Sequence, residues 1–359
     1  LYTRSLTQEA LSLLTNDRTR DYRAPRFERV LIPYFRAWNY IEQGDVEGAL
    51  VEARKINERL EFERTQCPDE DGACGEDAFL RFFSGLVFEW GGEWNDAYVA
   101  YKLSREAGVG KIPFLGPRLL AMSDRLGFRD EHRRWRETYG SPSENTGLVV
   151  AFVELGVVGH RYEVSLNVPI FKEESHLIVT DIDRWSHTLS HRVYVDVDDS
   201  KLDYFLRIAM PEFLAPHPDA SRVAVALECG EKEQTARLAK DVVGEAYQHF
   251  QEASGSVLVR SIARALTKYF AKEAADDKIG KGAGFLVNIL GAATETADLR
   301  SWRSLPGGIQ IAALELPPGT YETTLKINGH ETVGSVTADF GPVEVGAEQI
   351  AFLRFRSTP

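Results

Sequence analysis

The first 140 residues carry apolar side chains at the spacing of amphipathic helices. Between residues 24 and 65 this pattern predicts two helices, with Gly44 ending the first and Asp45 capping the second. The same order of small and aromatic residues returns around Gly92 and, more weakly, around Gly127. Small residues let paired helices approach closely, and aromatic residues fill the space between them. The pattern therefore predicts a series of helix pairs.

This series resembles the tetratricopeptide repeat, a helix pair with a period of about 34 residues. The interval from Gly92 to Gly127 is close to one period, and an acidic loop lengthens the interval before Gly92. Such arrays usually form a curved surface that binds protein segments. A helical bundle that only packs against the rest of the chain is the alternative. The predicted partner-binding residues are the aromatic side chains Tyr40, Phe88, Trp94 and Tyr101.

The pattern changes after a polar, turn-rich stretch at residues 139–143, so we predict a helical domain at 1–142 and an α+β domain at 143–359. Leu148 to Leu155 is typical of a strand buried on both faces, and residues 162–170 alternate like a half-buried strand. Helices are expected at about 232–299. A small antiparallel β module is expected at about 305–359, with a hairpin turn at Asn328-Gly329. The predicted fold class is α+β, not a doubly wound sheet.

Composition and charge exclude some classes of function. The chain has 359 residues and a formal net charge of −12. General nucleic-acid binding needs a concentrated positive face, so we expect no nucleic-acid partner. No run approaches the roughly 20 apolar residues that span a bilayer.

Three cysteines bear on the cellular compartment. Cys67 and Cys74 flank a short acidic loop, and this spacing fits a small disulfide ring, which needs an oxidising compartment. Two free thiols or a metal site are the alternatives. Cys229 ends an apolar run and is expected to be a small buried hydrophobic residue.

The sequence nominates no nucleophile, since the usual serine and cysteine motifs are absent. His187 and His191 would point the same way on a helix or a strand, and two surface histidines near a turn are the alternative to a metal pair. Arg260, Arg264, Lys268 and Lys272 recur every four residues and form a basic ridge on a predicted helix. That ridge is expected to be a solvated face or a contact for an anionic ligand. We expect no cofactor.

Several phrases resemble an uncharacterised family of bacterial envelope proteins, predicted lipoproteins with tetratricopeptide-like helices at the N-terminus. The phrases are LIPYFRAWNYIEQGDVEGALVEARKIN from Leu31, AFLRFFSGLVFEWGGEWNDAYVAYKLS from Ala78, LVRSIARALTKYFAK from Leu258 and ETADLRSWRSLPGGIQIAALELPPGTY from Glu295. The most specific phrase contains Asp298, Arg300 and Trp302. We expect Arg300 to pair with Asp298 and stack on Trp302, locking a helix-to-strand junction.

The resemblance implies an exported protein at the inner face of the outer membrane, in the periplasm. A lipid-bearing cysteine would precede Leu1 and would provide the only membrane attachment. The resemblance implies no reaction. We therefore expect a non-enzymatic scaffold or assembly subunit that binds other envelope proteins or further copies of itself. The alternatives are a metal-dependent hydrolase using His187 and His191, and a binding protein for an anionic ligand.

Overall fold

The structure is a computed structural model, and it describes residues 21–67, 75–108, 112, 114–141, 145–171, 202–215, 220–279, 296–329 and 335–357. The chain is α+β and divides into two compact units. The larger unit comprises Ala24–Gly159, Ala215–His249 and Trp302–Pro359. The smaller unit comprises Leu1–Arg23, His160–Leu214 and Phe250–Ser301.

The larger unit begins with three helix pairs, in which each helix packs on the next one along the chain. The helices are α1 (Arg26–Glu42), α2 (Val46–Thr65), α3 (Ala78–Trp90), α4 (Trp94–Ala107), α5 (Leu115–Arg125) and α6 (Arg129–Tyr139). Side-chain caps fix two of the starts, because the carboxylates of Asp45 and Asp77 accept the Gly48 and Leu80 amides. The predicted cap at Asp45 is therefore present.

The turns within the three helix pairs share one geometry. Gly44, Gly92 and Gly127 have φ values of 69°, 77° and 70°, a left-handed conformation that glycine adopts without steric cost. In each turn the residue after the glycine donates its amide to the carbonyl four positions before the glycine, at 2.9 Å. These backbone bonds satisfy carbonyls that the end of a helix leaves without a partner.

Two four-stranded sheets complete the larger unit. The first sheet has the order β10-β1-β7-β6, with β1 at Gly147–Leu155, β6 at Arg237–Asp241, β7 at Gly308–Leu316 and β10 at Ile350–Ser357. The second has the order β5-β4-β8-β9, with β4 at Ala224–Cys229, β5 at Lys232–Thr235, β8 at Gly319–Asn328 and β9 at Ser335–Val345. β1 pairs parallel with β10 and antiparallel with β7, so it lies inside the first sheet.

A hydrophobic core lies between the two sheets. Alternate residues of β1, including Val149, Ala151 and Val153, pack with Val225 and Leu227 of β4 and with residues of β7 and β8. All nine residues of β1 are buried, because the other face of this strand is also covered. The prediction of a strand buried on both faces is therefore confirmed.

The smaller unit contains a two-stranded antiparallel ribbon and most of a long helix. The ribbon pairs β2 (His160–Phe171) with β3 (Leu202–Leu214), with His160 opposite Leu214. The helix α7 (Val242–Ile279) begins in the larger unit, and its residues from Phe250 onward belong to the smaller one. Ser261 on this helix donates its hydroxyl to the Ala209 carbonyl of β3 at 3.3 Å.

The structure corrects several expectations. The compact units do not divide at 142/143, because the helix pairs and both four-stranded sheets belong to one unit. The helices expected at about 232–299 begin only at Val242, after the strands β5 and β6, and residues 280–295 lie outside the described residues. Nor does the C-terminal region form a separate β module, since β7 and β10 join the first sheet and β8 and β9 the second.

The connection between β8 and β9 also differs from the predicted two-residue turn. The two strands do pair antiparallel, but Asn328 lies opposite Ser335. Residues 329–334 therefore separate the paired positions, and Asn328-Gly329 begins a longer connection. An Asn-Gly pair favours a tight turn only where the strands pair directly on either side of it.

Candidate functional site

The inner face of the helix pairs is closed by the first sheet. Phe152 of β1 lies among Trp38, Phe79 and Phe83, with ring centroids 5.3, 6.2 and 5.6 Å away. Helix α3 is buried at every position from Ala78 to Glu89. This surface therefore packs against the protein itself and does not present a groove for a partner.

Buried ion pairs reinforce this contact. Arg118 of α5 donates to Glu89 at 2.8 Å and also pairs with Glu315 of β7, while the Tyr101 hydroxyl donates to Glu89 at 2.6 Å. Burial raises the pKa of Tyr101 well above its ordinary value, and the nearby Glu89 raises it further. The helix pairs are thus joined to the sheet by largely buried charges.

A second buried charge lies on β1, an inner strand of the first sheet. Glu154 accepts hydrogen bonds from the Tyr34 hydroxyl at 3.1 Å and from Arg354 Nε at 3.0 Å. The guanidinium of Arg354 also lies over the rings of Phe35 and Trp38, 5.5 and 5.4 Å from their centroids. Because a buried carboxylate needs such compensation, these contacts are a structural link between α1 and the sheet.

Lys240 of β6 forms a third link, this time to α3 and α7. Its ammonium lies 2.5 Å from Asp77 and 2.6 Å from Glu245. Burial opposes the positive charge, but the two carboxylates outweigh it and raise the pKa of Lys240. We assign these three buried groups to stability and not to chemistry.

The four predicted partner-binding aromatic residues do not share one environment. Phe88 and Tyr101 are buried, which corrects the expectation that they contact a partner directly. Tyr101 fills the space opposite Gly85, where an added Cβ would lie 2.5 Å from its ring. Tyr40 and Trp94 are half-buried at the turns of the first and second pairs.

We define the turn edge as the surface formed by Tyr40, Trp94, Arg125 and Phe128. The guanidinium of Arg125 lies 4.0 Å from the centroid of the Trp94 ring and also pairs with Glu348 at 2.7 Å. Phe128 is 37% exposed and packs on Tyr98, with ring centroids 5.4 Å apart. Arginine and aromatic side chains are enriched where proteins meet, so the turn edge is the candidate partner surface.

Sequence reasoning missed two members of the turn edge. Phe128 follows Gly127 as Glu93 follows Gly92, so the repeat pattern places it at an equivalent turn. An aromatic side chain at this equivalent turn position was the sequence feature that could have identified Phe128. The stacking of Arg125 on Trp94 joins different helix pairs, so the local sequence does not reveal it.

The phrase around Asp298 has contacts that differ from those expected. Arg300 donates to both carboxylate oxygens of Asp298 at 2.8 Å, and its guanidinium lies over Tyr22, 5.5 Å from the ring centroid. Burial alone would raise the pKa of Asp298, but the hydrogen bonds from Arg300 hold it below its ordinary value. Trp302 instead packs against Phe35 at 5.6 Å and donates its amide to Glu28, so the predicted Arg300 stack on Trp302 is wrong.

The other predicted groups have mixed outcomes. Cys67 is disulfide-bonded and Cys229 is a buried free thiol, while Cys74 lies outside the described residues. His187 and His191 also lie outside them, and the described part of the chain contains no group of three metal-binding side chains. In the basic ridge Arg264 and Lys268 are buried and Arg260 is half-buried, which corrects the expectation of a solvated face at these positions, while the side chain of Lys272 lies outside the described ones.

Comparison of the chain with protein-family models, curated proteins and solved structures finds no match. Among the described residues, no helix combines the length and apolar character that crossing a membrane requires. The geometry of the chain itself therefore carries the functional argument.

Proposed function

We propose that this protein is a non-enzymatic assembly subunit of the bacterial cell envelope, and that its tetratricopeptide-like helix pairs contact a protein partner through the turn edge. The observation that carries the proposal is the partly exposed aromatic and arginine surface at turns that repeat with one geometry. Since the first sheet covers the inner face of the pairs, contact with a partner falls to the outer helices and the turns.

The last helix pair supports the interpretation of the helix pairs as a repeat array. Helix α6 buries only Trp135, whose indole nitrogen donates to the Tyr98 hydroxyl at 3.0 Å. The rest of α6 is dominated by charged side chains. Arrays of helix pairs need such a polar final helix, because the last repeat has no neighbour to cover it.

The disulfide at Cys67 supports a location in the envelope. Disulfides persist in oxidising compartments such as the bacterial periplasm and are rare in the cytosol. Attachment to the inner face of the outer membrane, through a lipid before Leu1, is part of the proposal and rests on the family resemblance. The charge of −12 fits a protein or small-molecule partner better than nucleic acid.

The proposal can be tested on the native particle. The full-length chain would be extracted gently from bacterial envelopes, and its mass and co-purifying subunits measured. We expect a discrete complex of fixed stoichiometry containing a second protein. Phe128→Ala should remove that second protein, because alanine deletes the most exposed aromatic ring of the turn edge.

Phe62→Ala is the matched control. Phe62 is also an exposed phenylalanine of the helix pairs, but it lies on α2 away from the turns. The variant should retain the partner. Loss of the partner in both variants, or in neither, would remove the turn edge from the proposal, and a chain that is always recovered alone would remove the assembly role.

A further inference from the structure

Three arginine side chains lie along one side of helix α6, the last helix of the array. Arg129, Arg133 and Arg136 are exposed and follow one another at intervals of four and three positions, so they share a helix face. We define them as the α6 arginine row. From its first to its last member the helix rises about 10 Å. The row of exposed arginines is therefore on α6 and not on α7, where Arg264 and Lys268 are buried.

The α6 arginine row has few partners within the described part of the chain. Among these residues, no ion pair, side-chain hydrogen bond or ring contact involves the guanidinium of Arg129 or Arg136. Arg133 lies 3.5 Å from Asp130 on the same helix, and both side chains are largely exposed. An exposed pair of this kind contributes little, so all three guanidinium groups can bind another group.

The exposed arginines of helix α2 provide a contrast. Arg54 and Arg64 each pair with a glutamate side chain of the protein. Arg59 lies over the ring of Phe62, 5.6 Å from its centroid. The protein therefore provides its own partners for the exposed arginines of α2, but much weaker ones for the α6 arginine row.

The position of the α6 arginine row indicates which kind of element could bind it. Glu131 accepts hydrogen bonds from Tyr98 at 2.6 Å and from Lys102 at 2.9 Å, so this side of α6 faces helix α4. Arg129 and Arg133 are each two positions from Glu131, about 200° around the helix, and so lie on the opposite side. Each helix of the array packs on the next one along the chain. The row thus faces away from the array, on the side where a further helix would pack.

We propose that the α6 arginine row binds an acidic helix of a partner protein, which continues the array beyond α6. Charge complementarity selects this partner. Carboxylates at positions i, i+3 and i+7 of an antiparallel helix would lie opposite the three arginines, and arginine binds a carboxylate through two parallel hydrogen bonds. The net charge of −12 has little effect at this site, because exposed charges more than about 8 Å away are screened at physiological salt.

An anionic membrane fits the α6 arginine row less well. Helices that bind at a membrane surface carry an apolar face beside their basic side chains. Beside the row, α6 carries the exposed carboxylates Asp130 and Glu137, which would repel lipid phosphates. A partner helix can place lysine or uncharged side chains opposite these carboxylates, and a lipid surface cannot.

This inference rests on the proposed assembly role and adds a second contact surface to it, but its test does not need the native partner. The probe is a fluorescent helical peptide of about 20 residues with glutamates at i, i+3 and i+7, and its anisotropy reports binding to the full-length chain. We expect saturable binding that weakens as NaCl is raised from about 50 to about 300 mM. Replacing the three arginines of the row by glutamine should weaken binding about tenfold, because each exposed ion pair contributes up to several-fold.

The matched control combines Arg54→Gln, Arg59→Gln and Arg64→Gln on helix α2. It removes the same charge from three exposed arginines that already have partners within the chain. The control variant should bind the peptide almost as tightly as the unchanged chain does. A peptide with glutamine at the three glutamate positions should not bind. Melting temperatures of both triple variants would show that each is folded.

Three results would overturn the inference. The first is a peptide that does not bind saturably, and the second is equal weakening by both triple variants, which would mean that only net charge matters. The third is binding to phosphatidylglycerol vesicles, but not to the peptide, that replacement of the row abolishes, which would assign the row to lipid. Failure of the peptide with a native partner that still depends on Phe128 would leave the proposed function standing.

Discussion

Replacing Phe152 by alanine gives the most direct test of how the helix pairs are used. Phe152 is fully buried and lies where the first sheet meets the helices, among Trp38, Phe79 and Phe83. If the inner face of the pairs is closed by the sheet, this ring is part of the closure. If that face is open to partners, removing the ring should cost little stability.

The expected cost follows from the surroundings of the ring. Removing a phenyl ring uncovers about 100 Å² of apolar surface, or about 2.5 kcal/mol at roughly 25 cal/mol per Å². The cavity and the lost aromatic contacts add to this, and buried Phe→Ala changes typically cost about 3–5 kcal/mol. We expect Phe152→Ala to lower the free energy of unfolding by about 4 kcal/mol.

Denaturant unfolding followed by tryptophan fluorescence would measure this change, since Trp38 lies beside the deleted ring. Phe62→Ala serves as the control, because Phe62 is 50% exposed and should cost less than about 1 kcal/mol. A loss below about 1 kcal/mol for Phe152→Ala would refute the closed inner face, and the groove between the helix pairs would again be a candidate for partner binding.

Three further predictions concern the helix pairs and the loop after α2. Gly85→Ala should destabilise the protein by more than about 2 kcal/mol, because the new Cβ would lie 2.5 Å from the Tyr101 ring. At Gly44 a new Cβ meets open space, so Gly44→Ala should cost only the left-handed backbone penalty of about 1 kcal/mol. Thermal unfolding of both variants separates the two costs. Reducing the Cys67 disulfide should lower the free energy of unfolding by about 2 kcal/mol, and an unchanged melting temperature would contradict this cost. Mass spectrometry after thiol labelling should show buried Cys229 unlabelled in the folded protein. Burial and the hydrogen bond to Glu131 raise the pKa of Tyr98 to about 12. The contribution of Tyr98 to stability is therefore complete below about pH 10 and is lost as the pH rises through about 12. Tyr98→Phe should flatten this fall in stability, and an unaltered pH profile would exclude Tyr98 as its cause.

Local sequence signals predicted the secondary structure of the helix pairs well. Glycine is needed where φ is positive and an aspartate caps the next helix, so Gly44 and Asp45 mark their turn without tertiary information. The apolar run of β1 likewise predicted a strand covered on both faces. The prediction failed at residues 232–241, where β5 pairs with the adjacent strand β4 and β6 pairs with β7, which is distant in sequence. Strand formation depends on such partners more than on local preference.

The candidate surfaces required the tertiary structure. The sequence alone determined which residues are aromatic, which helices are amphipathic and where the helix pairs turn. It could not determine which face of each helix is covered, because that depends on elements brought together from distant parts of the chain. Packing within the larger unit buries Phe88 and Tyr101 and leaves Trp94 half-buried at the turn edge. In the smaller unit Arg264 is buried and Val259 is exposed. An amphipathic pattern gives two faces, and only packing decides which of them meets water.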